Sequence, residues 1–354
     1  MLTKKRRKRS GKLTNLEVFI GIFLLIVLFM LFSYWRQANV KLKLRIPFNK
    51  GIHSLSTVEG KLVARQIGGD IFVFDWNNLK AGYETVSTPS QESLLLTGER
   101  IISVVEKTFR LSDLQGIMLQ GHTLPHPADT VSLISNDFHD SVVAMSSKTL
   151  ADTITYTIEM LSIEDNKVIL LDVISGDASD LQIKAVDLSN DGRTIAVVGC
   201  NGKEGYCCVI DVSARKLLWE KKYAEMPPFF SVAFNSGGGQ ILAGTVRGHL
   251  AKIQSDNGSL AGKIQLIDRP RTNNNTMTVK KIVISPDGSM LAATIDPQVF
   301  LVDVESLQIK NVVSGSYKLV GGVCFSPAGQ QLATSDLRAS GVITIINLDN
   351  IKGQ

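Results

Sequence analysis

Histidines, cysteines and carboxylates supply most metal centres, nucleophiles and acid-base pairs, and this chain uses them in patterns that support little chemistry. Its five histidines, His53, His122, His126, His139 and His249, form no metal-binding motif such as His-Glu-x-x-His on one helix face, and no Gly-x-Ser-x-Gly elbow occurs. Of the four cysteines, Cys200 ends one apolar run and Cys207-Cys208 opens the next. A Cys200 to Cys207 disulfide requires a hairpin register that sets the two opposite each other; buried free thiols are the other reading. No fourth Cys or His lies at a zinc-binding spacing. Cys324, between Val323 and Phe325, reads as core. Asp187-x-Ser189-x-Asp191-Gly192 opens like a calcium loop, but its twelfth position is Val198 where a bidentate Glu is needed, so it reads as a turn. Gly237-Gly238-Gly239 is followed by a strand-like run and not by a helix N-terminus, which rules out a phosphate cradle. The expectation is a protein without catalytic residues, metal or cofactor, and not an enzyme.

The elements that would have to position such groups repeat. Ser189-Asn190-Asp191-Gly192, Asn235-Ser236-Gly237-Gly238, Ser285-Pro286-Asp287-Gly288 and Ser326-Pro327-Ala328-Gly329 each follow one apolar run and precede another. Val58-Glu59-Gly60, Leu96-Thr97-Gly98 and the looser residues 135–140 take the same place in earlier units. The period of roughly 40 to 50 residues is that of a radial or solenoidal array, here of seven units. Each unit predicts an inner strand (such as 281–284), the turn, a second strand (290–294) and a third. The third strands, Ile71-Phe72-Val73-Phe74, Cys207-Cys208-Val209-Ile210, Val299-Phe300-Leu301-Val302 and, but for Thr344, residues 342–346, are apolar at consecutive positions. Such strands are covered on both faces. Asp75, Asp211 and Asp303 then open short turns into more polar fourth strands. The fold expected is all-β, a seven-bladed propeller of four-stranded antiparallel sheets preceded by one transmembrane helix. Around residues 131–180 the pattern does not mark the blade boundaries.

Residues 109–113 and the following Leu119-Gln120-Gly121-His122-Thr123 resemble the tryptophan-aspartate (WD) repeat. In that family an aspartate closes the third strand and a Gly-His pair leads into the next blade. The resemblance extends over roughly residues 42–351 and implies that His122 hydrogen-bonds within its own blade. Most other units lack Gly-His, and none ends its third strand in Trp-Asp, so the likeness is to degenerate members. It speaks to fold far more than to function.

The last unit offers only three strands, whereas Val40-Lys41-Leu42-Lys43-Leu44-Arg45-Ile46 stands alone before the first and alternates polar with apolar, as an outer strand should. Residues 40–47 are therefore expected to pair with the last blade and close the ring, removing an open sheet edge.

Residues 1–17 form a basic tail and residues 18–35 carry no charge. At 1.5 Å per residue those roughly 18 positions span about 27 Å, the thickness of a hydrocarbon core. They read as a retained signal anchor; a cleaved signal peptide is the competing reading, against which stand the length of the run and the lack of a small-x-small site at 33–39. Lys4, Lys5, Arg6, Arg7, Lys8, Arg9 and Lys12 place the tail in the cytoplasm and residues 36–354 outside it, on the periplasmic side of the inner membrane in a bacterium. Asn257-Gly258-Ser259 and Asn274-Asn275-Thr276 would be glycosylation acceptors in a secretory lumen.

Setting those seven charges aside leaves 31 of the 38 basic residues against 33 acidic ones. A nearly neutral domain argues against nucleic acid as a partner. The partners expected are proteins, together with membrane lipid around the single helix. In a propeller the loops joining outer to next inner strands share a face with those joining second to third strands. Phe229, Arg271, Tyr317, Arg247 and Arg338 are the candidate partner-binding residues there, by the enrichment of aromatics and arginine in interface cores. Core-capping by Phe229 or Phe230, with solvated arginines, is the alternative. The functional expectation is a membrane-anchored protein-interaction scaffold on the extracytoplasmic face. A propeller enzyme or ligand-binding domain, quinoprotein-like or lactonase-like, is the second reading, with Asp70, Asp296, His249 and Asp336 as its rim candidates.

Overall fold

The computed structural model describes residues 23, 25, 27, 40–46, 50–88, 93–96, 100–105, 108–113, 115, 117–123, 130–135, 141–162, 167–267, 277–314, 319–338 and 341–348. They form seven four-stranded antiparallel sheets, with the strands of blades 1 to 6 adjacent in sequence order: blade 1 (52–86), blade 2 (93–123), blade 3 (130–177), blade 4 (181–223), blade 5 (229–265) and blade 6 (281–314). Blade 7 takes its three inner strands from 320–347 and its outer strand from Val40–Arg45.

Closure by the first strand is thus as the alternating pattern anticipated. Arg45 pairs with Val342 and Val40 with Ile346, with a bulge between Val40 and Leu42. Leu44 and Ile46 enter a core shared with Ile52, Leu55 and Phe72 of blade 1 and with Ile343 and Ile345 of blade 7. Apolar clusters of this kind sit at every junction around the ring; blades 4 and 5 share Val198, Cys207, Phe229 and Ile241, and blades 1 and 2 share Val73 and Ile101. Each blade is one layer between two neighbours, which is why Cys207, Cys208, Val209 and Ile210 are all 0% exposed.

The repeated turn has a common chemistry. Ser189 Oγ accepts from Thr194 N at 3.0 Å and donates to Asp191 Oδ1 at 2.6 Å; Ser285 does the same with Met290 N (3.0 Å) and Asp287 Oδ1 (2.6 Å). Ser326 Oγ accepts from Gln331 N, and Asn235 Oδ1 from Gln240 N. The fourth residue of each turn, Gly192, Gly238, Gly288 and Gly329, has φ between 67° and 73°, a region that glycine enters without steric cost. The turns into the outer strands rest on aspartate caps: Asp211 Oδ1 accepts from Ala214 N (2.7 Å) and Asp303 Oδ1 from Ser306 N (2.8 Å).

Blade 3, whose limits the pattern left open, departs from its neighbours. Its second, third and outer strands run 10, 10 and 11 residues, against 6 for the corresponding strands of blade 5. The hairpin tip carries Leu150, 72% exposed.

Glycines mark the seam between blades 7 and 1. A Cβ on Gly321 would strike the Ile52 carbonyl, and one on Gly322 the Leu55 backbone nitrogen; one on Gly51 would overlap the Leu337 carbonyl. The two inner strands meet backbone to backbone there.

Phe23, Leu25 and Val27 are helical, with Phe23 and Leu25 exposed. The rest of the 18–35 run and the basic tail lie outside the described residues, among which no helix is long and apolar enough to cross a membrane.

Candidate interaction face and central channel

The ring has two faces. The lower one carries the repeated Ser/Asn turns and the aspartate-capped turns; the upper one carries the hairpins between second and third strands and the links between blades. Arg247 lies in the upper hairpin of blade 5 and Arg338 in that of blade 7, both exposed. Their backbones are tied down: Arg247 N donates to Thr245 Oγ1 at 3.2 Å and Arg338 N to Asp336 Oδ1 at 2.9 Å. Gly248, at φ 76°, completes the first hairpin. The structure therefore places Arg247 and Arg338 on one face, each with its backbone nitrogen hydrogen-bonded. Arg271 and Tyr317 fall outside the described residues.

Phe229 does not belong to that face. It begins the inner strand of blade 5 with 0% exposure, its ring 5.6 Å from that of Tyr223. Gly205 makes room for it: a Cβ there would lie 2.8 Å from Phe229 Cε2. The sequence predicts Phe229 in the link from the outer strand of blade 4 to the inner strand of blade 5, but the strand begins at that residue itself and turns its first side chain into the junction between the two blades. Phe230, the next residue, is only half-buried.

The hairpin register also separates the two cysteines. Cys200 pairs with Gly205, and Cys207 with Val198, so the condition for a cross-strand disulfide is not met. None of the four cysteines is in a disulfide, and all four are buried. Burial pushes Cys207 well above the ordinary thiol range and Cys208 up to about 12.

Of the second set of rim candidates, Asp296 and Asp336 have their carboxylates engaged locally. Asp296 is ion-paired with Lys280 and accepts from Val320 N at 2.7 Å, fastening blade 6 to blade 7. Asp336 caps the Arg338 turn, and the Asp70 carbonyl accepts from Gln66 N at 2.9 Å. His249 has its Nδ1 buried without a hydrogen-bond partner; desolvation, then Lys263 and Arg247, hold its pKa below the ordinary value. Among the described residues no group of three or more His, Cys, Asp or Glu could hold a metal ion.

The lower half of the channel encloses a cavity of about 470 Å³ lined by inner strands of blades 1, 4, 5, 6 and 7. Its polar walls include Asp187, Lys281 and Glu59, none of which the sequence singled out as a channel group. Asp187 Oδ2 accepts from Phe234 N at 2.7 Å, joining blade 4 to blade 5, and burial raises its pKa to about 7. Lys281 Nζ donates to the Leu55 carbonyl at 3.1 Å. Aligning the units on their turns exposes the missed signal. Asp187 stands where Ala233, Val283 and Cys324 stand, and Lys281 where Ala185, Ser231 and Gly322 stand. A charge at an inner-strand position that is otherwise small or apolar points into the channel.

No family model matches this chain. No curated protein matches it either. Among solved structures it is similar to the Cps50 (Swd1) β-propeller domain of Myceliophteria thermophila, at 14% identity and a TM-score of 0.62, over 87% of this chain and 99% of that one. At that identity the likeness concerns architecture, and it agrees with the seven closed sheets described above.

Proposed function

We propose that the chain is a membrane-anchored scaffold whose propeller engages a protein partner through its upper face, outside the cytoplasm. The observation that carries this reading is the presentation of Arg247 and Arg338 on two turns fixed by Thr245 and Asp336. An arginine whose backbone is hydrogen-bonded has chiefly its side-chain entropy left to lose on binding, and it offers a planar fork of donors to carboxylates or carbonyls. The similarity to the Swd1 propeller domain supports the fold on which such a face is built. The anchor and its orientation rest on the uncharged run 18–35, on the seven basic residues before it, and on the exposure of Phe23 and Leu25. Proximity labelling from a C-terminal tag identifies compartment and neighbours together. Neighbours that persist unchanged in the Arg247→Ala, Arg338→Ala double variant would remove these arginines from the account.

A ligand-binding propeller is the second reading, favoured by one feature, the 470 Å³ channel cavity with Asp187 and Lys281 in its wall. Metal analysis and absorbance spectra of the purified chain separate the two. Bound metal or a coloured group favours the ligand reading.

A further inference from the structure

The closing strand fixes which way the propeller faces. In blade 7 the lower turn ends at Gln331, which pairs with Asn347, so the 346–347 end of the third strand is at the lower face. Val40 pairs with Ile346 and Arg45 with Val342. The chain thus enters the propeller at the lower face and runs upward. Ile46 N then donates to the Gly341 carbonyl at the upper edge, where the chain crosses to blade 1. Only residues 36–39 separate the uncharged run from Val40. The five steps from Trp35 to Val40 reach at most about 18 Å when fully extended. A six-residue strand such as Gln331–Asp336 is itself about 20 Å tall. A tether of that length, leaving from the bottom of blade 7, cannot carry the opposite face round to the bilayer.

Resting on the anchor proposed above, we infer that the propeller stands with its lower face towards the membrane and its upper face, with Arg247 and Arg338, turned away from it. The lower mouth of the channel cavity, ringed by turn residues such as Gly60, Asn190, Ser236 and Pro286, then opens towards lipid headgroups. A partner reaches the upper face from the aqueous compartment, without competition from the bilayer. The pairing of the closing strand with blade 7 and the shortness of the link before it together set this polarity.

The test uses the full chain in proteoliposomes with a lipid-bound energy-transfer acceptor. Ala328→Cys in the lower turn of blade 7 and Arg338→Cys in its upper hairpin are both exposed, whereas the native thiols are buried. A donor dye therefore labels the introduced site. The expected result is stronger transfer from position 328, with apparent distances to the bilayer differing by about the 20 Å height of a strand. Equal or reversed distances in a chain that stays in the pellet on carbonate extraction overturn the orientation while leaving the anchor. Release of the chain by carbonate overturns both.

Discussion

Lys281 of blade 6 donates through Nζ to the carbonyl of Leu55 in blade 1, 3.1 Å away, reaching past the inner strand of blade 7. The reach depends on Gly321 and Gly322, whose missing side chains let the blade 1 strand lie against blade 7. Three consecutive blades are thereby joined at the site of ring closure.

Lys281→Met keeps the aliphatic stem and removes the donor. The expected cost is about 1–3 kcal/mol, seen as a lower urea midpoint with unchanged slope. An unchanged midpoint would mean that this bond contributes nothing to closure.

Gly322→Ala places a methyl group on the Leu55 backbone and should destabilise by more than about 3 kcal/mol or prevent folding. Gly237→Ala, in a lower turn with nothing within 4 Å of its added Cβ, should fall within about 0.5 kcal/mol of the parent. Paired chemical denaturation measures the contrast.

Asp187 carries a carboxyl whose pKa in the folded protein, about 7, lies above its unfolded value. The folded state therefore binds the extra proton between about pH 4 and 7. Its contribution is complete below that window and is lost as pH rises to 7. His53 and His249, both lowered, act in the opposite sense between their folded and unfolded values. The informative quantity is thus the difference from Asp187→Asn, which keeps an acceptor for Phe234 N. That variant should gain on the parent progressively from pH 4 to 7, by no more than about 4 kcal/mol. A difference independent of pH would show that the carboxyl does not titrate in this range.

The free, buried thiols make Cys207 and Cys208 inert towards iodoacetamide in the native state and reactive only after denaturation. Dithiothreitol should leave the melting temperature unchanged. Mass spectrometry of alkylated peptides checks the first and calorimetry the second; a fall in melting temperature on reduction would contradict the register.

Much of this ring was legible in the chain because turns and apolar runs are local signals. Ser285-Pro286-Asp287-Gly288 announces its hydrogen bonds by residue type alone, and a third strand such as Val299-Phe300-Leu301-Val302 announces its two covered faces. The orphan strand at 40–45 was legible because its partner was conspicuously missing from the last unit. Blade 3 was not, since its lengthened strands carry the pattern past the usual period. Phe229 failed for a related reason: the first side chain of a strand faces core or solvent according to a register that sequence does not print. The Cys200 and Cys207 pairing turned on a two-residue offset of the same kind. Asp187 and Lys281 needed the units superposed on their turns before either stood out.

Hydrogen exchange on the full-length chain tests closure most directly, at residues 40–46 and 342–347. The account predicts that both segments are protected in the parent and that Leu44→Asp, which places a charge in the core shared with Ile52 and Ile345, exposes both together. Exchange of residues 40–46 at the rate of unstructured chain, with 342–347 still protected, would contradict it.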